Sequence, residues 1–174
     1  MLRILLSVGV VAFALTAAVL PASAETTAKD LQVLGKTLGF IDPELSGDVP
    51  TAIIYDASSK AEAGAIMAAM GAGFQASNAT LKPVLVDVGA LNTIGSYKIA
   101  ILTGGLASKH AAIFAAASAA KVLTVSTDES CVRAGNCVMG IKTAPTVQIL
   151  VNHAAAAKSA ISFKQAFRMM ITEL

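Results

Sequence analysis

Residues Lys98–Ser126 read KIAILTGGLASKHAAIFAAASAAKVLTVS, and this stretch decides the fold. It opens with an uninterrupted apolar run, Lys98–Thr103, stopped by Gly104-Gly105. An Ala-rich segment, Leu106–Ala120, follows, with Leu106, His110, Ile113, Phe114 and Ala117 at helical spacing on one side. A second apolar run, Lys121–Ser126, closes it. Continuous rather than alternating apolar strands are buried on both faces, and a strand–helix–strand unit of this kind builds a parallel sheet.

The same alternation extends upstream. Thr51–Tyr55 is a short apolar strand. Ser59-x-x-Glu62 has the form of a capping box and opens a helix carrying Ala63, Ile66, Met67 and Met70, ended by Gly71 and Gly73. Val84–Val88 is a further strand. Before all of these, Thr27 caps a helix with Leu31, Leu34 and Leu38 on one face, and Asp42-Pro43 and Ser46-Gly47-Asp48-Val49-Pro50 break the chain.

Downstream the pattern changes. Cys137–Ile141 and Thr146–Val151 are β-prone runs joined by Lys142-Thr143-Ala144-Pro145, the signature of a hairpin. His153–Ala160 reads as a small-residue helix. Ser162-x-x-Gln165, a second capping box, predicts a last helix with Phe163, Ala166, Phe167, Met170, Ile171 and Leu174 in one apolar stripe, suited to the core or to a dimer surface. The expected fold is a three-layer α/β domain: four parallel strands, extended by an antiparallel C-terminal hairpin, with helices on both faces.

The chain has 174 residues, of which 55% are hydrophobic, with 13 Lys+Arg against 11 Asp+Glu. That length suits one domain. A net charge of +2 gives no basic face for nucleic acid. With no Trp and 5% aromatic residues, a stacking platform is not expected either.

Residues 1–24 read as a signal peptide: Arg3, an uncharged apolar run from Ile4 to Leu20, then Pro21-Ala22-Ser23-Ala24 in the A-x-A pattern. Cleavage after Ala24 leaves a single domain, 25–174, with no later segment apolar and long enough to span a bilayer. Export to the periplasm is therefore expected.

Cys131 and Cys137 are the only cysteines, and both lie in the exported part. An even pair in an oxidising compartment reads as a disulfide, and Gly135-Asn136 suits the tight loop between them. A redox-responsive clip is the alternative, although such motifs usually space their cysteines more closely. A zinc site would need further ligands nearby.

Ligands of open parallel sheets bind at the carboxyl ends of the strands. Those ends carry Asp56, Asp87, Thr103, Gly104, Gly105 and Ser126, which form a candidate ligand rim. Its carboxylates and hydroxyls would suit a polar ligand or a hard cation; the same residue types also begin turns and cap helices. The Gly104-Gly105 turn could offer backbone N–H groups to an anion, yet the stretch has neither the dinucleotide fingerprint nor the Lys-Ser/Thr of a phosphate loop. His110 and His153 fall on separate helices without a nucleophile motif such as G-x-S-x-G. No catalytic residue, metal or cofactor is expected.

Lys121–Leu174 resembles the C-terminal half of the YfiR-like family of exported bacterial proteins. The residues that carry the resemblance are Val122-Leu123-Thr124-Val125-Ser126, the Gly135 loop, Val147-Gln148-Ile149-Leu150-Val151-Asn152, the small-residue run Ala154–Ala160, and Ile161-Ser162. The aromatic-rich opening helix of many members has Leu34-Gly35-Lys36-Thr37-Leu38-Gly39-Phe40 in its place here, without Trp. The resemblance implies a fold like one lobe of a periplasmic substrate-binding protein, a disulfide between Cys131 and Cys137, and a tendency to form homodimers. It also implies a regulator acting by protein contact on an inner-membrane sensor, such as the periplasmic part of a membrane-bound diguanylate cyclase. The alternative reading is a small-ligand-binding protein that uses the rim.

Overall fold

The computed structural model describes residues 25–174; the leader expected over residues 1–24 lies outside them. Its core is an eight-stranded sheet in the order β10 (Thr172–Glu173), β8 (Gln148–Val151), β7 (Met139–Lys142), β6 (Leu123–Ser126), β5 (Ile99–Leu102), β2 (Gly47–Tyr55), β4 (Ala79–Asp87), β3 (Phe74–Ala76). The parallel centre is formed by β2 (Gly47–Tyr55), β4 (Ala79–Asp87), β5 (Ile99–Leu102) and β6 (Leu123–Ser126), joined by β7 (Met139–Lys142). β8 (Gln148–Val151) returns antiparallel beside β7. The expected mixed α/β architecture, four parallel strands plus a hairpin, is present.

Alternation along the strands divides the interior in two. Ile53, Ile101 and Leu81 face one way, with Leu31 and Leu34 of α1 (Ala28–Thr37) and Ala63 and Ile66 of α2 (Lys60–Met70). Ala52, Ile54, Ala100 and Leu102 face the other way. They meet Ile113 and Ala117 of α3 (His110–Ala119), Ile94 of the 3₁₀ stretch Val88–Ser96, and Val132 of α4 (Glu129–Arg133). Helices therefore cover both faces, and β5 and β6 read as continuous apolar runs because both of their faces are buried, whereas Val84 and Leu85 of β4 are exposed.

The strands run longer than their apolar cores. β2 begins at Gly47 and passes through Pro50, where the sequence suggests a break. Pro50 is tolerated because its carbonyl faces the start of β5, accepting from Lys98 N at 2.9 Å, before the β5 ladder begins opposite Thr51. The missing N–H thus falls where no acceptor waits. β4 likewise begins at Ala79, since β3 (Phe74–Ala76) folds back on its first residues, Phe74 opposite Leu81.

Of two expected helix starts, one forms as read and one does not. Thr27 does cap α1, with Asp30 completing the box. Ser59 makes no such cap for α2; its hydroxyl and the Glu62 carboxylate are taken up by the strand ends described below.

The helix expected from Ser162 to Leu174 does not form. Ser162–Phe163 is a short strand, β9, antiparallel to β1 (Ile41–Asp42). Four helical residues follow, α6 (Gln165–Arg168), and then β10 (Thr172–Glu173), parallel to β8. Tertiary contacts override the local pattern. Phe167 stacks on Phe40 with ring centroids 5.1 Å apart, Phe163 tilts against Phe167 at 5.3 Å, and Lys164 N donates to Phe40 O at 2.8 Å. With Phe167 stacked on Phe40 and Phe163 paired opposite Ile41, the stripe cannot continue as one helix.

Cys131 and Cys137 are bonded, with Cα atoms 5.3 Å apart. The bridge joins α4 to the entry of β7, and both residues are fully buried, packed with Val132 and Leu150. An exposed clip would have been open to solution thiols; this one is part of the core.

Among the described residues, no helix is long and apolar enough to cross a membrane.

Candidate functional site

The parallel strands follow the order β4-β2-β5-β6-β7, so successive strands turn in opposite directions on the two sides of β2. The connections after β2 and β5 leave on opposite faces, which opens a crevice beyond the carboxyl ends of these neighbours. Tyr55-Asp56 and Thr103-Gly104-Gly105 border it.

Asp56 organises the crevice. Its Oδ1 accepts from Ser58 N at 2.9 Å and Ser58 Oγ at 2.6 Å, and its Oδ2 accepts from Lys109 Nζ at 2.6 Å. Lys109 comes from the short 3₁₀ turn Ala107–Lys109 that leads into α3. The Lys109 ammonium, with help from Ser58, holds the Asp56 carboxyl well below the usual carboxylate range. Asp56 is thus both the turn-former that strand-end aspartates commonly are and one half of a charge pair spanning the crevice.

Behind this pair runs a chain of hydroxyls. Asp56 N donates to Ser59 Oγ at 3.1 Å, and Ser59 Oγ lies 2.8 Å from Thr103 Oγ1. Thr103 Oγ1 lies 2.9 Å from Ile54 O. Each hydroxyl has one proton, so Thr103 donates to the Ile54 carbonyl and Ser59 donates to Thr103. The chain clips β2 to β5 at the point where the site forms.

Glu62, in the first turn of α2, also reaches the β5 turn. Its Oε2 accepts from Gly104 N at 2.8 Å and its Oε1 from Thr26 N at 2.8 Å. One carboxylate therefore ties the β5 turn and the segment before α1 to α2. Gly105 adopts φ +78°, a conformation that L side chains rarely take, and an added Cβ would lie 3.6 Å from Ser58 Oγ. The backbone conformation, rather than lack of space, is what favours glycine in this turn.

Of the six rim residues, Asp56, Thr103, Gly104 and Gly105 converge. Asp87 and Ser126 sit on the neighbouring strand ends, opposite Tyr55 and Leu102, and are engaged in capping: Asp87 Oδ1 accepts from Gly89 N at 2.7 Å, and Ser126 Oγ accepts from Asp128 N at 3.1 Å. Ser126 lines a small separate pocket with Thr26 and Asp30. Ser58, Ser59, Glu62 and Lys109 complete the site, and the sequence marked none of them as rim residues. Ser59 and Glu62 were legible only as a capping box, and nothing near Lys109 signalled that it reaches back to Asp56.

His110 begins α3 and is buried; burial pushes its pKa below the ordinary histidine range, opposed by the Asp128 charge. His153 lies at the other end of the sheet, where Arg168 Nη2 is 3.0 Å from its Nε2. The two histidines are not brought together. Among the described residues, no group of three or more His, Cys, Asp or Glu is arranged to hold a metal ion.

No family model matches the chain, and no curated protein matches it by sequence. Solved structures do. A conserved domain protein from Vibrio cholerae O1 biovar El Tor aligns with TM-score 0.60 and 13% identity, over 86% of this chain and 60% of that one. An ABC domain from Streptococcus pneumoniae in complex with L-Trp aligns with TM-score 0.56 and 12% identity, over 82% and 59%. The ligand-free, open structure of CD0873, a substrate-binding protein with adhesive properties from Clostridium difficile, aligns with TM-score 0.57 and 11% identity, over 84% and 58%. The chain thus spans no more than 60% of the length of these neighbours. At such identity the likeness concerns the fold alone: a mixed α/β sheet domain similar to the lobes of substrate-binding proteins.

Proposed function

We propose that this is an exported, non-catalytic binding protein that takes a small zwitterionic ligand, of the free amino-acid class, at the β2/β5 crevice. One observation carries the reading. Asp56 and Lys109 set opposite charges 2.6 Å apart at a topological switch point, beside the hydroxyls of Ser58, Ser59 and Thr103 and the Gly104-Gly105 turn. A ligand ammonium would exchange for Lys109 on Asp56, and a ligand carboxylate would take Lys109 in return, so no charge is left unpaired. The substrate-binding-protein fold supports it, as does the L-Trp held by the Streptococcus pneumoniae neighbour. A site on one lobe holds its ligand from one side, so affinities near millimolar are expected.

Thermal-shift measurements against the free L-amino acids test this. Stabilisation that grows with ligand concentration is expected for the wild type and lost in Asp56→Ala. A flat response to every amino acid, or one unchanged in Asp56→Ala, contradicts it.

A second reading, a periplasmic regulator gripping an inner-membrane sensor or cyclase as the YfiR-like resemblance implies, is favoured by the solvent-facing Met169 and Met170, 90% and 56% exposed. Capture from membranes with a Met169→Glu, Met170→Glu control tests it: an inner-membrane protein retained by the wild type and lost by the control supports the regulator, and none retained opposes it.

A further inference from the structure

The largest departure from the sequence pattern, the broken Ser162–Leu174 segment, has a consequence at the far end of the sheet. β8 runs antiparallel to β7, so Val151 and the residues after it lie opposite the rim. There α5 (His153–Lys158), β9 and β10 enclose a cavity of about 260 Å³. Its walls are mostly apolar: Val151, Ala156, Ala157, Ile161, Phe163 and Ile171, with Ser162 among them. Phe163 and Ile171 were expected within a packed helical stripe; in the arch they border open space instead.

The mouth of this cavity is polar and charge-balanced. Arg168 Nε and Nη2 donate to the two Glu173 oxygens at 2.6 and 3.0 Å. Arg168 Nη2 also approaches His153 Nε2 at 3.0 Å, which accepts when Nδ1 carries the ring proton; Glu173 Oε1 lies 3.4 Å from the same nitrogen. The Arg168 and Glu173 charges cancel, and Arg168 Nη1 takes no part in these bonds. An apolar chamber under a neutral rim with a spare donor selects for a particular chemistry. A net-charged guest would leave one rim charge unmatched, and a wholly polar guest would gain nothing from the walls.

We infer that the cavity bounded by Ala157, Phe163 and Ile171 is a second binding site, for a small uncharged apolar molecule of one or two rings bearing one hydrogen-bonding group, its ring against Phe163 and Ile171 and its polar group at Arg168. The volume lies just below the range of about 300–1,000 Å³ in which compact ligands are held. The site is independent of the crevice at Asp56.

2-Naphthol is a suitable probe. Its emission can be followed without interference because the chain has no Trp. Saturable binding to the wild type is expected, at least tenfold weaker for 2-naphthoate. Ala157→Phe places a ring in the chamber from an exposed helix position and should weaken 2-naphthol at least tenfold while the protein stays folded. Asp56→Asn, at the opposite end of the sheet, should leave 2-naphthol binding unchanged. Methyl NMR shifts should move at Ile161 and Ile171 and remain fixed at Ile54. No saturable binding, equal binding by Ala157→Phe, or loss in Asp56→Asn would overturn the assignment. That last result would implicate the crevice instead, so the two sites are separable.

Discussion

Lys109 Nζ lies 2.6 Å from Asp56 Oδ2, a contact made across 53 positions of sequence between the end of β2 and the turn before α3. The pair is one-sided: Asp56 is mostly buried, whereas the Lys109 side chain is 40% exposed. Its consequences can be measured through protons.

Asp56 has a folded pKa far below its unfolded value of about 4. The unfolded chain therefore binds the proton first as pH falls. The stabilisation is complete above about pH 4 and lost progressively below it. Asp56→Asn should flatten the acid limb of a stability-against-pH curve and leave some slope, because Glu44 and Glu173 are also lowered, by Lys164 and Arg168 respectively. Denaturant melts between pH 2 and pH 7 measure it. An identical acid limb in wild type and variant would contradict the assignment.

His110 predicts a second, milder slope. Burial lowers its pKa, so the unfolded state takes up a proton at about pH 6.5, before the folded state does. Stability is therefore complete above that pH and declines as pH falls through the interval down to the folded value. His110→Gln should remove this slope between pH 7 and pH 5 while keeping the Asp56 limb. A direct NMR titration of His110, with Asp128→Asn as the companion variant, should show a still lower pKa once the opposing carboxylate is gone.

The buried disulfide predicts protection rather than easy redox response. In the folded protein, thiol reagents should reduce Cys131–Cys137 only through unfolding, because both residues are fully buried. The Cys131→Ala, Cys137→Ala double variant should lose roughly 2 kcal/mol on the chain-entropy argument for so short a loop. Mass spectrometry after dithiothreitol treatment, with and without denaturant, checks the first point. Rapid reduction of the native protein would show the bridge to be solvent-accessible.

Gly140 predicts a packing limit beside the bridge. A Cβ added there would come within 2.8 Å of Val132 Cγ2, on the helix that carries Cys131, and 3.5 Å from Leu150 Cβ. Val132 is stiff and buried, so Gly140→Ala should cost about 1–3 kcal/mol. Trimming the neighbour in a Gly140→Ala, Val132→Ala pair should recover part of that loss relative to additivity.

What the sequence made legible follows the range of the forces involved. Lys98–Ser126 announced β5, α3 and β6 because burial on both faces writes itself into unbroken apolar runs. Thr27 announced its cap because Asp30 is only three positions away. The segment Ser162–Leu174 was read as a helix because its local spacing is helical; Phe40, more than 120 positions away, decides otherwise through the stacked Phe167. The site behaves likewise. Asp56 and Thr103-Gly104-Gly105 were visible as strand ends, a local property. Lys109 and Glu62 join them by reaching across the fold, and Asp87 and Ser126, equally visible, are taken up by nearby amides of their own.

Binding of a small zwitterion where β2 and β5 end, as proposed, can be read residue by residue. The ¹⁵N-labelled protein is titrated with the amino acid giving the largest thermal shift, and its amide chemical shifts are mapped. The Ser58, Ser59, Gly104 and Gly105 amides should move saturably, with the amides around Ala157 and Ile171 unmoved. Shifts confined to other surfaces, or none at saturating amino acid, would contradict it.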